Sequence, residues 1–162
     1  MPTEYRKLLF VQTVREREKS LYRVAFIMLR RSADAEDAVS AGIESAYRRL
    51  DHLRENSALP AYIMRCTVNA CHDILRRRKR EQTVEDFEIY IPAVHPELPI
   101  WTYLTALDEK YSLPITMRYS ENMSISEIAQ ALRLPQGTVS TRISRGLRKL
   151  REQIERYVER RE

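Results

Sequence analysis

Apolar positions recur at helical intervals along nearly the whole chain. From Glu4 to about Arg31 they fall at Leu8, Leu9, Val11, Leu21, Val24, Ala25, Ile27 and Met28, which predicts one long helix or two joined near Lys19 and Ser20. A second helix is expected from "SADAEDAV", where Ser32 or Asp34 can cap and Glu36 and Asp37 complement the dipole. It runs through Ala38, Val39, Ile43, Ala46 and Tyr47 to about Leu50. "DHLRENSA", 51 to 58, is a polar connection, and Leu59-Pro60 opens a third helix that ends in the basic run at 76 to 80. Residues 81 to 99 bring acidic charge and prolines at 92, 96 and 99 without sustained periodicity, as a linker does. Beyond it the pattern predicts helices at about 100 to 110, 114 to 121 and 124 to 132 and a long last one from about 136, with Pro114 confined to a first turn.

Composition adds the fold class. Only 3 Gly are present and the β-branched residues form no alternating runs, so the chain reads as all-α, two small helical domains joined by a flexible linker. The boundaries are 1–80, 81–99 and 100–162.

The net charge of +5 comes from 28 Lys and Arg against 23 Asp and Glu. Its excess gathers in "ILRRRKR" and "TRISRGLRKLR", as expected where a chain meets polyphosphate. Cys66 and Cys71 point to different sides of a helix, and neither CxxC nor paired His spacing supports zinc, so buried, inert thiols are expected. No carboxylates cluster with His or Lys as a nuclease requires, and no Gly-rich loop could cradle a phosphate. The reading is therefore not an enzyme, with no cofactor, no metal and no small-molecule substrate. The charged N-terminal stretch lacks an apolar signal core and no run approaches a membrane span, so a cytoplasmic protein without membrane insertion is expected.

Candidate chemistry lies in "SISEIAQALRLPQGTVSTRISRGL". Ser124 with Glu127 makes a capping box, and Ile125, Ile128, Ala129 and Leu132 form one apolar stripe. The short connection "RLPQ" starts the next helix. Two short helices so joined let the first brace a sugar-phosphate backbone while the second enters the major groove. On that second helix Val139, Ile143, Leu147 and Leu150 lie within about 80° of one another. Thr141, Ser144, Arg145 and Arg148 occupy the opposite arc. Hydroxyls that reach base edges beside arginines that bond guanine or phosphate suit DNA reading better than a merely solvated face.

With these residues in view, the chain resembles the extracytoplasmic-function sigma factors, small members of the sigma-70 family that direct bacterial RNA polymerase to promoters. "ALDEKYSLPITMRYSENMSISEIAQALRLPQGTVSTRISRGLRKL" is similar to the family's fourth region, and "DAEDAV", "AYRRLD" and "RCTVNACHDILRRRKR" follow its second region in order and spacing.

The resemblance implies a promoter-specificity subunit that binds core RNA polymerase and promoter DNA, aids promoter opening, and is held by an anti-sigma factor. It implies duplex minus-thirty-five contacts from Thr138, Ser140, Thr141, Arg142, Ser144, Arg145, Arg148 and Lys149. Asn56, Ser57, Arg65, Asn69, Arg76, Arg77 and Arg80 would hold the opened minus-ten strand, with a base taken from the stack. Asp37, Glu44, Tyr47 and Arg48 would dock on the clamp helices of the polymerase's largest subunit, and the linker would follow polymerase's RNA-exit or active-site path. Tyr62 stands where tryptophan is common and reads as core. One departure is conspicuous: Ser40-Ala41-Gly42-Ile43 replaces Gln-Glu and a large apolar pair, and a mid-helix glycine costs roughly 1 kcal/mol against alanine. It favours the alternative, a helix-turn-helix DNA-binding regulator without productive polymerase binding.

Overall fold

The structure is a computed structural model that describes residues 2–81 and 99–161. The elements are α1 (Glu4–Leu29), α2 (Ser32–Arg48), 3-10 turns at Leu50–His52 and Asn56–Ala58, α3 (Leu59–Glu81), α4 (Pro99–Ala106), α5 (Glu109–Tyr119), α6 (Ile125–Leu132) and α7 (Gln136–Arg161). Among the described residues there is no strand. The chain divides into two compact units, Met1–Tyr90 and Ile91–Glu162. The linker expected at 81–99 lies, but for its ends, outside the described residues. No described helix is long and apolar enough to cross a membrane.

In the first unit α1, α2 and α3 pack on one another. α1 is continuous, with no break at Lys19 and Ser20. Its second half lies against both neighbours, so Val24 to Leu29 are all buried, and Ile63, Met64 and Val68 of α3 complete the core. The α2 start differs from expectation. Arg31 occupies the N-cap position without a side-chain capping bond, and the Ser32 hydroxyl lies 2.9 Å from that of Tyr22. Asp34 instead pairs with Arg78, whose Nε donates to its carboxylate at 3.1 Å while Nη1 donates to the Leu29 carbonyl at 2.8 Å. One guanidinium thus satisfies the C-terminal end of α1 and the first turn of α2, where cation and anion respectively complement the dipoles. The pair is three-quarters buried, so Arg78→Ala leaves a carboxylate and a carbonyl without their donor, expected to cost about 2 kcal/mol. Arg77→Ala on the exposed side should stay within about 0.5 kcal/mol. Thermal melting of the two variants against the parent checks the difference.

Gly42 sits where α2 crosses α3. A Cβ there would lie 2.6 Å from the Cα and Oγ1 of Thr67 and 2.7 Å from its backbone nitrogen. The Thr67 hydroxyl turns back onto the Ile63 carbonyl at 3.0 Å, which satisfies it in a fully buried position. The glycine that reads as a helix defect is therefore the residue that lets two backbones meet.

In the second unit α5 and α6 pack on α7, and α4 lies against α5 and α7. α4 is shorter than expected, because Asp108 caps α5 by accepting from the Lys110 N–H at 3.1 Å, and α5 begins there rather than at 114. Pro114 is consequently inside α5 and not in its first turn. It removes one helical hydrogen bond, a loss that the complete burial of Ser112 to Met117 offsets. Between α5 and α6, Asn122 takes a left-handed conformation (φ 53°) and Arg118 Nη1 braces the turn on the Met123 carbonyl at 2.8 Å. The capping box at the start of α6 is formed in both directions: Glu127 N–H donates to Ser124 Oγ at 3.1 Å and Ser124 N–H to Glu127 Oε1 at 2.9 Å.

Candidate nucleic-acid interface

α7 follows α6 after a turn made by Arg133 in the left-handed region (φ 57°), with the Leu134 N–H closing on the Ala129 carbonyl at 3.0 Å. Val139, Ile143 and Leu150 face the core. Leu147 does not: it is exposed, and the buried position beside it is Gly146. The buried stripe is 139, 143, 146 and 150, set by the close approach of α5. A Cβ on Gly146 would fall 2.6 Å from Ile115 Cδ1 and 2.9 Å from Tyr111 Cβ.

That packing leaves Ser140, Thr141, Ser144, Arg145, Arg148 and Lys149 exposed, with Thr138 and Arg142 half-buried. Thr138, Thr141, Arg142 and Arg145 line an open cleft of about 390 Å³ together with Gly137, Lys110 and Tyr111. Nothing lies within 4 Å of a Cβ built on Gly137, so the surface of α7 is open at its first turn, where a helix leaves its leading N–H groups without intrahelical partners. Their dipole and the surrounding cations make this end of the helix suited to a phosphate. Lys110 and Tyr111 were not among the sequence candidates. Lys110 Nζ lies 5.1 Å and Lys149 Nζ 5.5 Å from the centre of the Tyr111 ring, so the tyrosine gathers two ammonium groups, of which Lys110 lines the cleft. The signal for them was Asp108 as an N-cap, which places "EKY" in the first turn of α5.

In the first unit α3 carries a second polar stripe. At about 100° per residue Arg65, Asn69, Arg76 and Arg80 fall within about 60° of one another, with Arg77 some 60° further round. The four arginines are exposed and Asn69 is half-buried. Arg76 is held in an exposed ion pair by Asp73, a contact weak enough to be exchanged for a phosphate. Tyr62 is half-buried rather than core, and it lies on the edge of this stripe. Burial, then the neighbouring Cys66, raises its phenol pKa; burial also pushes the Cys66 thiol up, against hydrogen bonds from Tyr62 and Ser45. Both cysteines are buried. Asn56 and Ser57 are exposed in the 3-10 turn that leads directly into α3, and the Asn56 Oδ1 accepts from Arg6 Nε at 3.0 Å.

A third surface is the outer face of α2. Asp37, Glu44, Tyr47 and Arg48 are all exposed, Arg48 pairs with Glu44, and Ser40 and Ala41 lie between them on the same stripe. Tyr47 rests edge-on against Phe10 with ring centres 5.4 Å apart, which fixes an aromatic ring on an otherwise polar face.

Comparison with known proteins places both units. Residues 13–81 match the family described as Sigma-70 region 2, and residues 103–152 match Sigma-70, region 4. The ECF RNA polymerase sigma factor SigM of Mycobacterium tuberculosis is 30% identical over 147 residues, 87% of this chain and 74% of SigM. RNA polymerase sigma factor SigV of Bacillus subtilis is 25% identical over 153 residues, 91% of this chain and 92% of SigV. In fold, the chain is similar to the sigma factor RpoE of Bartonella quintana, solved in complex with the anti-sigma factor NepR. That match has a TM-score of 0.72 at 22% identity and covers 90% of this chain and 96% of the other. With the second and fourth regions both matched in order and a relative of this identity spanning most of both chains, the protein belongs to the sigma-70 family as an extracytoplasmic-function RNA polymerase sigma factor.

Proposed function

We propose that the protein binds core RNA polymerase in the cytoplasm and carries it to promoters, residues 1–80 acting as region 2, 81–99 as the linker and 100–162 as region 4. It contributes binding energy and no catalytic group. The face of α7 reads the duplex minus-thirty-five element: Thr141, Ser144 and Arg145 reach base edges, while Lys149, Arg148 and the N–H groups near Gly137 take phosphates. Asn56, Ser57 and the α3 stripe hold the opened minus-ten strand, and because these contacts exist only for an unstacked strand they shift the DNA toward the open form. The face of α2 grips the polymerase, and an anti-sigma factor covers these same surfaces when transcription is off.

The observation that carries this reading is the α7 face: Ser140, Thr141, Ser144, Arg145, Arg148 and Lys149 are all exposed, beside an open cleft at the start of the helix lined by Thr138, Thr141, Arg142 and Arg145. The test uses the full chain and a duplex selected by it from a random pool. Arg145→Ala is expected to weaken binding by about 1–3 kcal/mol and to relax preference at one base position. Lys149→Ala should weaken all sequences alike and reduce the slope of log K against log salt by about 1. Unchanged binding in both variants, with melting temperatures intact, would remove α7 from the DNA.

A further inference from the structure

We propose that Arg6 is a positioning residue for base selection in the minus-ten strand, because its guanidinium decides which edge of the Asn56 amide faces the DNA. The inference rests on the reading of Asn56 as a base-pocket residue.

Arg6 lies in the first turn of α1, fifty residues from the loop it contacts. Its backbone N–H donates to the capping hydroxyl of Thr3 at 3.2 Å, which fixes the start of the helix that carries it. Its side chain then makes two bonds. Nε donates to Asn56 Oδ1 at 3.0 Å, and Nη1 donates to the Leu50 carbonyl at 3.0 Å. That carbonyl also accepts the Leu53 N–H at 3.3 Å, so both of its lone pairs are used. Leu50 begins the first 3-10 turn and Asn56 begins the second. One planar cation thus ties the entry of the loop, where Leu50 is buried, to its exposed exit at Asn56.

The chemistry of the contact fixes the amide. Arginine has five N–H donors and no acceptor, so Asn56 can meet it only through Oδ1. The Nδ2 protons must then point away from Arg6. Held in that sense Asn56 turns both Nδ2 donors toward the pocket and keeps only the second lone pair of Oδ1, on the Arg6 side, as an acceptor, so it favours the base that turns an acceptor toward it. Without Arg6 the amide turns over freely and presents oxygen or nitrogen alike. A helix requirement does not account for the arginine, since a cation in the first turn opposes the dipole. Its two acceptors do.

The test assembles holoenzyme from full-length protein and purified core polymerase and sequences the DNA recovered in open complexes from a pool randomised across the minus-ten element. Wild type, Asn56→Ala, Arg6→Ala, Arg6→Lys and the Arg6→Ala, Asn56→Ala double variant are compared. Preference is a ratio between templates for one protein, so a lower active fraction cancels. Arg6→Ala is expected to reduce discrimination roughly tenfold at a single base position. Asn56→Ala should act at the same position, and the double variant should lose no more than either single one. Arg6→Lys keeps the charge without the planar fork, and it should lose discrimination even if Arg6→Ala fails to fold. If Asn56→Ala changes no preference, the pocket reading fails and takes the inference with it. Should Asn56→Ala relax one position while both Arg6 variants keep it, or should the losses add, the role of Arg6 alone is overturned.

Discussion

Gly42→Ala is expected to destabilise the protein by about 1–2 kcal/mol, opposite in sign to what helix propensity alone predicts. Alanine in a helix interior is worth up to about 1 kcal/mol over glycine. Against this, the new Cβ would meet the Thr67 Cα at 2.6 Å and its nitrogen at 2.7 Å, and neither is the end of a flexible side chain. α2 and α3 would have to separate by roughly 1 Å to restore ordinary contact, and overpacking of this kind costs about 1–3 kcal/mol. The loss falls on the largest helix pairing of the first unit. Gly137→Ala is the control, because its Cβ would meet nothing within 4 Å. Thermal unfolding of the full chain should show a lower midpoint for Gly42→Ala, by several degrees, and an equal or higher one for Gly137→Ala. A rise for Gly42→Ala would show that the helices do not touch there.

The second large effect is expected on the outer face of α2. Ser40 and Ala41 give that face two short side chains at its centre, so in the proposed docking the grip is expected from what flanks them: Asp37, Glu44, Arg48 and the ring of Tyr47. Tyr47 is 44% exposed and already set against Phe10, so little conformational entropy is lost when it is covered. Anchors of this kind dominate interfaces, typically by about 2 kcal/mol or more on truncation, or about 30-fold in affinity. The Tyr47→Ala, Asp37→Lys double variant should therefore lose co-elution with core polymerase while keeping duplex binding and most of its stability. The departure at Ser40 to Ile43 also takes on a different meaning. Gly42 answers to Thr67, Ile43 is half-buried, and only Ser40 and Ala41 of the four are exposed on the face proposed to meet polymerase.

What the sequence made legible was local. The capping box of Ser124 and Glu127 could be read because its partners are three residues apart, and the α7 face because hydroxyls and arginines repeat at helical spacing. The misreadings share a cause in contacts distant along the chain. The apolar character of Leu147 suggests an inward side chain, whereas the approach of Ile115 and Tyr111 makes Gly146 the buried residue. The basic run at 76 to 80 looks uniform, but Arg78 alone turns back to Asp34 and Leu29. A rule of isolated helices confines Pro114 to a first turn, and tertiary burial overrides it. Lys110 was missed with it, since a helix starting at 114 hides the Asp108 cap. No spacing rule links Arg6 to Asn56.

A chain that makes polymerase start at promoters must support promoter-dependent run-off transcription with purified core enzyme. Added to core, the full-length protein is expected to yield discrete transcripts from linear fragments that it selects, absent with core alone and lost in the Tyr47→Ala, Asp37→Lys variant. Duplex binding without any promoter-dependent transcript would rule out promoter-directed initiation and leave a helix-turn-helix regulator in its place.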